Sequence, residues 1–194
     1  MRRKDRSTQA SSLKVLSDTQ LMERIAHGDK AAYSILLERN LSASLGFASQ
    51  VLGRRIDAED AVQEAFVKIW VKAQSFDANK ARFKTWAYRI LLNQCLDIKR
   101  KRRFDQHLDD FEIEDHGINP EAAAQQMSFQ ATIQKGLALL PERQRTAVAL
   151  CYFDELSNKE AAQVMDISVK ALESLLSRAR AQLKKGLLPI EDAL

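Results

Sequence analysis

The sequence predicts an all-α protein: two small helical domains joined by a flexible acidic linker. Three observations predict it. Only 6 glycines and 3 prolines punctuate 194 residues, too few for a sandwich or barrel, whose turns draw heavily on Gly, Pro and Asn. Apolar residues recur at spacings of three and four, the period of a helix buried on one face. Charge is also segregated into blocks, with two basic stretches flanking an acidic one that contains Asn119-Pro120, as expected of separate modules. With 45% hydrophobic and 29% charged residues, the chain carries enough apolar material for a packed core and too much for global disorder.

Residues 1–17 show no sustained period and read as a mobile basic tail. A first helix, N-capped by Asp18 or Thr19, runs through Leu21, Met22, Ile25 and Ala26 to His27-Gly28-Asp29. A second carries Ala31, Ala32, Ile35, Leu36, Leu41, Leu45 and Ala48 and ends near Leu52, with Gly53 in the position a left-handed C-terminal residue favours. The third begins at Asp57, its first turn acidic with Asp57, Glu59 and Asp60, where the helix dipole favours negative charge. Val62, Ala65, Phe66, Ile69, Trp70 and Ala73 then form one apolar stripe. Residues 76–82 break the pattern as a loop. A fourth helix from Phe83 carries Trp86, Ala87, Ile90, Leu91 and Leu96 into a basic tract ending near Arg103; Trp86 lies on the apolar stripe and reads as core. These helices make one domain, 18–103.

Lys80 to Arg103 holds nine basic residues against the single acid Asp97. The linker, 104–126, reverses this, with seven carboxylates and no Lys or Arg between Phe104 and Glu121. Lys170 to Lys185 is basic again. One such run is ordinarily a solvated helix face, but two separated ones suggest two contacts with a polyanion, most simply nucleic acid.

The second domain, 127–188, resumes with helical pattern from near Ala122 through Met127, Ile133, Leu137 and Leu140. Pro141 suits the first position of the next helix, which buries Ala147, Val148, Leu150 and Cys151. Ser157 with Glu160 three residues on is a capping box for a helix to Met165. After the break Asp166-Ile167-Ser168, Ser168 caps a last helix from Val169 to about Leu188, and 189–194 is a tail. Ser157–Leu183 fits a helix-turn-helix. Small Ala161 and Ala162 allow close crossing, Leu172, Leu176 and Leu183 face inward, and Lys170, Ala171, Glu173, Ser174, Ser177 and Arg178 lie on the open face, where Lys, Arg and Ser can read base edges. Asp166 occupies the turn position often given to Gly, which demands a left-handed backbone.

Taken together, these fragments resemble the two-domain bacterial sigma factors of the extracytoplasmic-function type, over about Ser17 to Leu188. The run Asp57-Ala58-Glu59-Asp60-Ala61-Val62-Gln63-Glu64-Ala65-Phe66-Val67-Lys68-Ile69-Trp70 is similar to the family's core-polymerase-binding helix. Phe83-Lys84-Thr85-Trp86-Ala87-Tyr88-Arg89-Ile90, with Asn93, Asp97 and Arg100, is similar to its promoter-melting helix. Leu140-Pro141-Glu142-Arg143-Gln144-Arg145 and Arg178-Ala179-Arg180 match its second domain.

The resemblance implies a polymerase contact through Asp57, Asp60, Gln63, Glu64 and Phe66, made on the clamp of the largest subunit. It implies capture of the −10 strand by the loop and the fourth helix. There Asn79 would meet a flipped base, Lys80, Arg82, Lys84, Arg89, Lys99 and Arg100 would hold phosphates, and Tyr88 would stack, a chemistry suited to strand separation. It implies reading of a −35 element by Lys170, Glu173, Ser174 and Ser177, with Arg178 and Arg180 positioning the helix on phosphates. Glu173 and Leu175 depart from the basic residues common there. It also implies an acidic linker threaded through polymerase channels and control by an anti-sigma factor seated between the domains.

Two other classes compete. A stand-alone helix-turn-helix regulator would explain 157–185 but leave the acidic-faced helix and the basic fourth helix without roles. A nuclease finds little support, because His27, His107 and His116 have no ligand or triad spacing and the carboxylates of 57–64 point around a helix rather than at one centre. Cys95 and Cys151 are far apart and outside any CxxC motif, so a disulfide framework or zinc site is disfavoured. No apolar run reaches the roughly 20 residues that span a bilayer. The expectation is a cytoplasmic protein with no cofactor and no membrane insertion of its own.

Overall fold

The structure, a computed structural model, describes residues 13–108 and 136–187. Residues 1–12 of the basic tail, most of the acidic stretch, the helical pattern expected from Ala122 to residue 135, and the tail 189–194 lie outside the described residues. Among the described residues all regular structure is helical, in two groups.

The cap of helix α1 (Asp18–Ala26) lies one residue before the first of the two expected caps. Ser17 is the N-cap, and Gln20 completes a capping box by accepting from the Ser17 N–H at 2.9 Å. Gly28 turns the chain at φ 84°, and Asp29 caps α2 (Lys30–Leu52) by accepting from the N–H groups of Ala31 and Ala32. Gly53 closes α2 in the left-handed region at φ 77°. Helix α3 (Arg55–Val71) begins two residues before the expected Asp57, which falls within its first turn. A 3₁₀ turn, Ala73–Ser75, leads to the loop expected at 76–82. Helix α4 (Phe83–Leu108) runs five residues past the expected limit at Arg103, since no Gly or Pro interrupts the chain before Gly117.

These helices enclose one core. Leu21, Met22, Leu36, Phe47, Val51, Ile69 and Cys95 are fully or almost fully buried, with α2 packed on α3 and α3 on α4. Leu13 is buried in the same core, although 1–17 read as tail. Arg39 fixes this segment, donating to the Leu16 carbonyl at 2.8 Å and pairing with Asp18 at 2.9 Å.

In the second group, Pro141 is the N-cap of α5 (Glu142–Val148) rather than its first residue. One π turn, Ala149–Phe153, follows. Helix α6 (Asn158–Val164) carries the expected Ser157/Glu160 capping box. Asp166 is left-handed at φ 53°, and Ser168 caps α7 (Val169–Leu187) through the Ala171 N–H. Leu172, Leu176 and Ala179 bury the inner face of α7 against α5 and α6.

Candidate functional site

The outer face of α3 is the first surface. Asp60, Gln63 and Glu64 are exposed as expected, and Ile56, Val67 and Val71 are exposed beside them. At about 100° per residue, positions 56, 60, 63, 64, 67 and 71 fall within one strip of roughly a quarter-turn. The strip is apolar at both ends and acidic-polar in the middle. The three aliphatics were not read as part of it because they fall outside the inward 3–4 stripe.

Two residues assigned to this face do not belong to it. Phe66 is only 4% exposed and packs in the core, since its position lies on the same stripe as Val62 and Ile69. Asp57 is turned inward. Its side chain is 14% exposed and accepts from Arg102 on α4 at 3.0 Å, with Arg54 at 3.9 Å, so it pins the start of α3 to the far end of α4.

The second surface is the 76–82 loop and α4. Asp77 shapes the loop by accepting from the Asn79 N–H at 3.0 Å and pairing with Lys80 at 3.4 Å. The Asn79 hydrogen bond, ahead of the Lys80 contacts, holds the Asp77 carboxyl below its ordinary range. Asn79, Lys80, Arg82, Arg89 and Arg100 are exposed. Phe76, Phe83 and Trp86 form an aromatic cluster beneath the loop, with Trp86 5.3 Å from Phe76, in keeping with Trp86 as core.

Part of this face, around Lys84, Tyr88 and Lys99, is covered by the second domain. Tyr88, expected to stack on bases, is 3% exposed; its hydroxyl donates to the carboxylate of Asp154, itself 6% exposed, and Lys84 donates to the Asp154 carbonyl. Burial, and then the Asp154 contact, pushes the Tyr88 hydroxyl far above its usual range, and burial likewise raises Asp154. Around this centre lie ion pairs Lys99–Glu142 at 3.1 Å, Arg103–Glu142 at 3.7 Å, Arg82–Glu160 at 3.6 Å and Arg89–Asp166 at 3.5 Å. Arg100 pairs within its own helix with Asp97.

The third surface is the open face of α7. Lys170, Glu173, Ser174, Ser177, Arg178 and Arg180 are all exposed, and Arg178 donates to the Ser174 hydroxyl at 2.9 Å. A shallow cleft here is lined by Lys170, Ser174 and Arg178 of α7 and also by Arg143 of α5. Arg143 was visible in the Leu140–Arg145 motif but could not be placed on this face before the helices were packed. Among the described residues no cluster of His, Cys, Asp or Glu could hold a metal ion, and no helix is long and apolar enough to cross a membrane.

An all-helical first domain with a mixed apolar and acidic strip and a cationic helix, followed by a helix-turn-helix, is the build of a promoter-recognition subunit of bacterial RNA polymerase. Two family profiles match: Sigma-70 region 2 over residues 36–104 and Sigma-70, region 4 over residues 130–183. The chain is 32% identical to the ECF RNA polymerase sigma factor SigW of Bacillus subtilis over 177 residues, covering 86% of this chain and 94% of that protein. It is 34% identical to the RNA polymerase sigma-H factor of Pseudomonas aeruginosa over 184 residues, or 89% and 95% of the two chains. Among solved structures it is similar to CnrH in complex with the cytosolic domain of CnrY (TM-score 0.67, 28% identity, 88% of this chain and 96% of that one). It is also similar to the sigma factor RpoE in complex with the anti-sigma factor NepR from Bartonella quintana (TM-score 0.66, 31% identity, 77% and 92%). The chain belongs to the extracytoplasmic-function sigma factors of the sigma-70 family, a family of transcription-initiation factors.

Proposed function

We propose that the work of initiation is divided among the three surfaces, and that the α3 strip carries this reading. Ile56, Val67 and Val71 give the strip desolvatable area, and Asp60, Gln63 and Glu64 give it polarity and charge. This combination of a contiguous apolar area with acidic and polar groups suits a stable interface with the polymerase clamp. Once docked, Asn79 and Lys80 in the loop take a base and a phosphate of the separating −10 strand. Arg82, Lys84, Arg89, Lys99 and Arg100 hold the backbone behind them. On duplex DNA upstream, Lys170, Glu173, Ser174 and Ser177 face the −35 bases while Arg143, Arg178 and Arg180 set the helix on phosphates. The protein uses no cofactor or catalytic group of its own and works in the cytoplasm beside the polymerase.

Control by an anti-sigma factor belongs to the same reading. A solved relative at 31% identity is held by NepR, and an inhibitor that covered the α3 strip would deny this chain its dock.

The test is reconstitution. Core polymerase supplemented with the purified chain should start transcripts on genomic DNA at sites the core alone ignores. Val67→Glu should lose core binding and transcription together while its circular dichroism and melting stay near the parent's. Tight sequence-specific binding to duplex DNA without polymerase, coupled with no effect of Val67→Glu, would favour a stand-alone regulator instead.

A further inference from the structure

We infer that Glu173 is a specificity-determining residue of α7, selecting at one position of the −35 element a cytosine whose 4-amino group donates to its carboxylate. This role rests on the assignment of the open α7 face to −35 bases, and it names the base that one residue of that face demands.

The open face of α7 is chemically divided. At about 100° per residue, Ser174 and Ser177 lie within about 40° of Lys170, while Arg178 lies about 80° to one side and Glu173 about 60° to the other. The Arg178 side is cationic. Arg143 comes in from α5 to line the shallow cleft there with Lys170, Ser174 and Arg178, and Arg178 is steadied by the Ser174 hydroxyl at 2.9 Å. Glu173 is exposed and does not line the cleft. Among the described residues no cation forms an ion pair with it. The cation on its own edge, Arg180, is seven residues further on, or about 10 Å along the axis. An acid thus stands unpaired on the N-terminal half of the helix, the half that enters the groove.

A carboxylate on a DNA-reading face has few favourable places. Beside the backbone it meets phosphate, like charge against like charge. The side bearing Arg143 and Arg178 therefore takes the backbone, and Glu173 is left over the floor of the groove. Base edges there differ in sign. Guanine presents O6 and N7 and thymine presents O4, all acceptors that an acceptor-only side chain cannot use. Adenine presents an amino donor with the acceptor N7 beside it. Cytosine presents an amino donor with no acceptor beside it, and so satisfies the carboxylate without an adjacent repulsion. An acid with no base partner would weaken binding to every sequence alike; an acid matched to cytosine changes the choice among sequences.

The test uses holoenzyme assembled from core polymerase and the full-length chain. Transcripts mapped on genomic DNA define the −35 element it uses, and one promoter is then varied pair by pair through that element. At one position cytosine should be required on the strand facing α7. Inverting that pair to place guanine there, which leaves base composition unchanged, should cut initiation about tenfold or more. Glu173→Ala should flatten the preference at that position and leave the others intact. Glu173→Arg should move it to guanine, through O6 and N7, and Glu173→Gln should move it toward adenine, through N6 and N7. The exchanged preference is the decisive readout, because a misfolded or weakly bound variant loses all promoters together and does not change its choice.

Glu173→Ala and Glu173→Arg holoenzymes that keep the parent's preference at every position would overturn the inference. So would a uniform gain in initiation on all sequences, the mark of an acid that only repels DNA. If Lys170→Ala, Ser174→Ala and Ser177→Ala likewise leave every −35 preference untouched, the assignment of α7 to those bases has failed as a whole. If they shift preferences while the Glu173 variants do not, that assignment stands and only the role given to Glu173 falls.

Discussion

Asp57 tests the reassignment most sharply, because sequence pattern and structure give it different work. In the structure its carboxylate ties the first turn of α3 to α4 through Arg102 at 3.0 Å, with Arg54 further off. A hydrogen bond to a charged partner is worth about 1.5–3 kcal/mol. Arg102 is 30% exposed, and solvent screening reduces this to about 1–2 kcal/mol. Losing the negative charge in the first turn adds about 0.3–1 kcal/mol. Asp57→Ala should therefore destabilise the first domain by about 1.3–3 kcal/mol, measured by urea denaturation followed through Trp70 and Trp86 fluorescence. In a double-mutant cycle with Arg102→Ala the coupling should be about 1 kcal/mol. Core affinity of the folded Asp57→Ala protein should fall far less than that of Gln63→Ala/Glu64→Ala, which in turn should leave stability unchanged. A coupling near zero, or an Asp57→Ala protein of parental stability that cannot bind core, would refute the pin and return Asp57 to the docking face.

Phe66→Ala should cost about 3–5 kcal/mol of stability, as for other buried aromatics, and a thermal melt should register this before any binding defect appears. Ser157→Ala should cost about 1 kcal/mol by breaking the capping box. The Ser157 hydroxyl, with smaller help from its backbone N–H and from Arg82 and Lys84, holds Glu160 below its ordinary 4.5. A depressed carboxyl stabilises the fold above its unfolded pKa, so this contribution is present at neutral pH and drains away as pH falls below about 4.5. In Ser157→Ala the acid side of the stability profile should accordingly be flatter. Burial pushes the Cys95 thiol up to about 12, and Cys151, partly exposed, is raised less. At pH 7.5 iodoacetamide should modify Cys151 well before Cys95, which should react only on unfolding, as mass spectrometry of timed aliquots would record.

The helices were legible because their local signals agree. Gly53, Ser157 with Glu160, and Ser168 each do in three dimensions what their residue type and position suggest. Signals shared between two residues went astray by a step: Ser17 rather than Asp18 caps α1, since only Ser17 has Gln20 three residues on. The π turn had no legible mark, because Ala149–Phe153 reads as ordinary amphipathic helix until Asp154 must reach α4. Site residues divided along the same line. The α7 face was legible because periodicity alone separates Leu172 and Leu176 from Lys170, Ser174 and Arg178. Asp57 and Tyr88 were not, because their partners Arg102 and Asp154 lie 45 and 66 residues away, and pairing over such distances is decided by packing.

The packing of the second domain on α4 also predicts how salt should act on it. Arg82–Glu160 and Arg89–Asp166 are long and each has a largely exposed partner, so each contributes close to nothing. Lys99–Glu142, with both side chains mostly covered, contributes about 0.5–1 kcal/mol. At 1 M salt the screening length shrinks to about 3 Å, and these contributions fade. The Tyr88–Asp154 bond is shielded from solvent and is screened much less. Salt alone should therefore loosen the rim without separating the domains, and scattering should give the parent nearly the same radius of gyration at 0.1 M and 1 M KCl. Asp154→Ala removes the shielded centre and strands a buried hydroxyl on Tyr88, so raised salt should loosen this variant more than it loosens the parent. Full expansion of the parent at 1 M KCl would mean that the rim charges, and not the buried carboxylate, hold the two domains together.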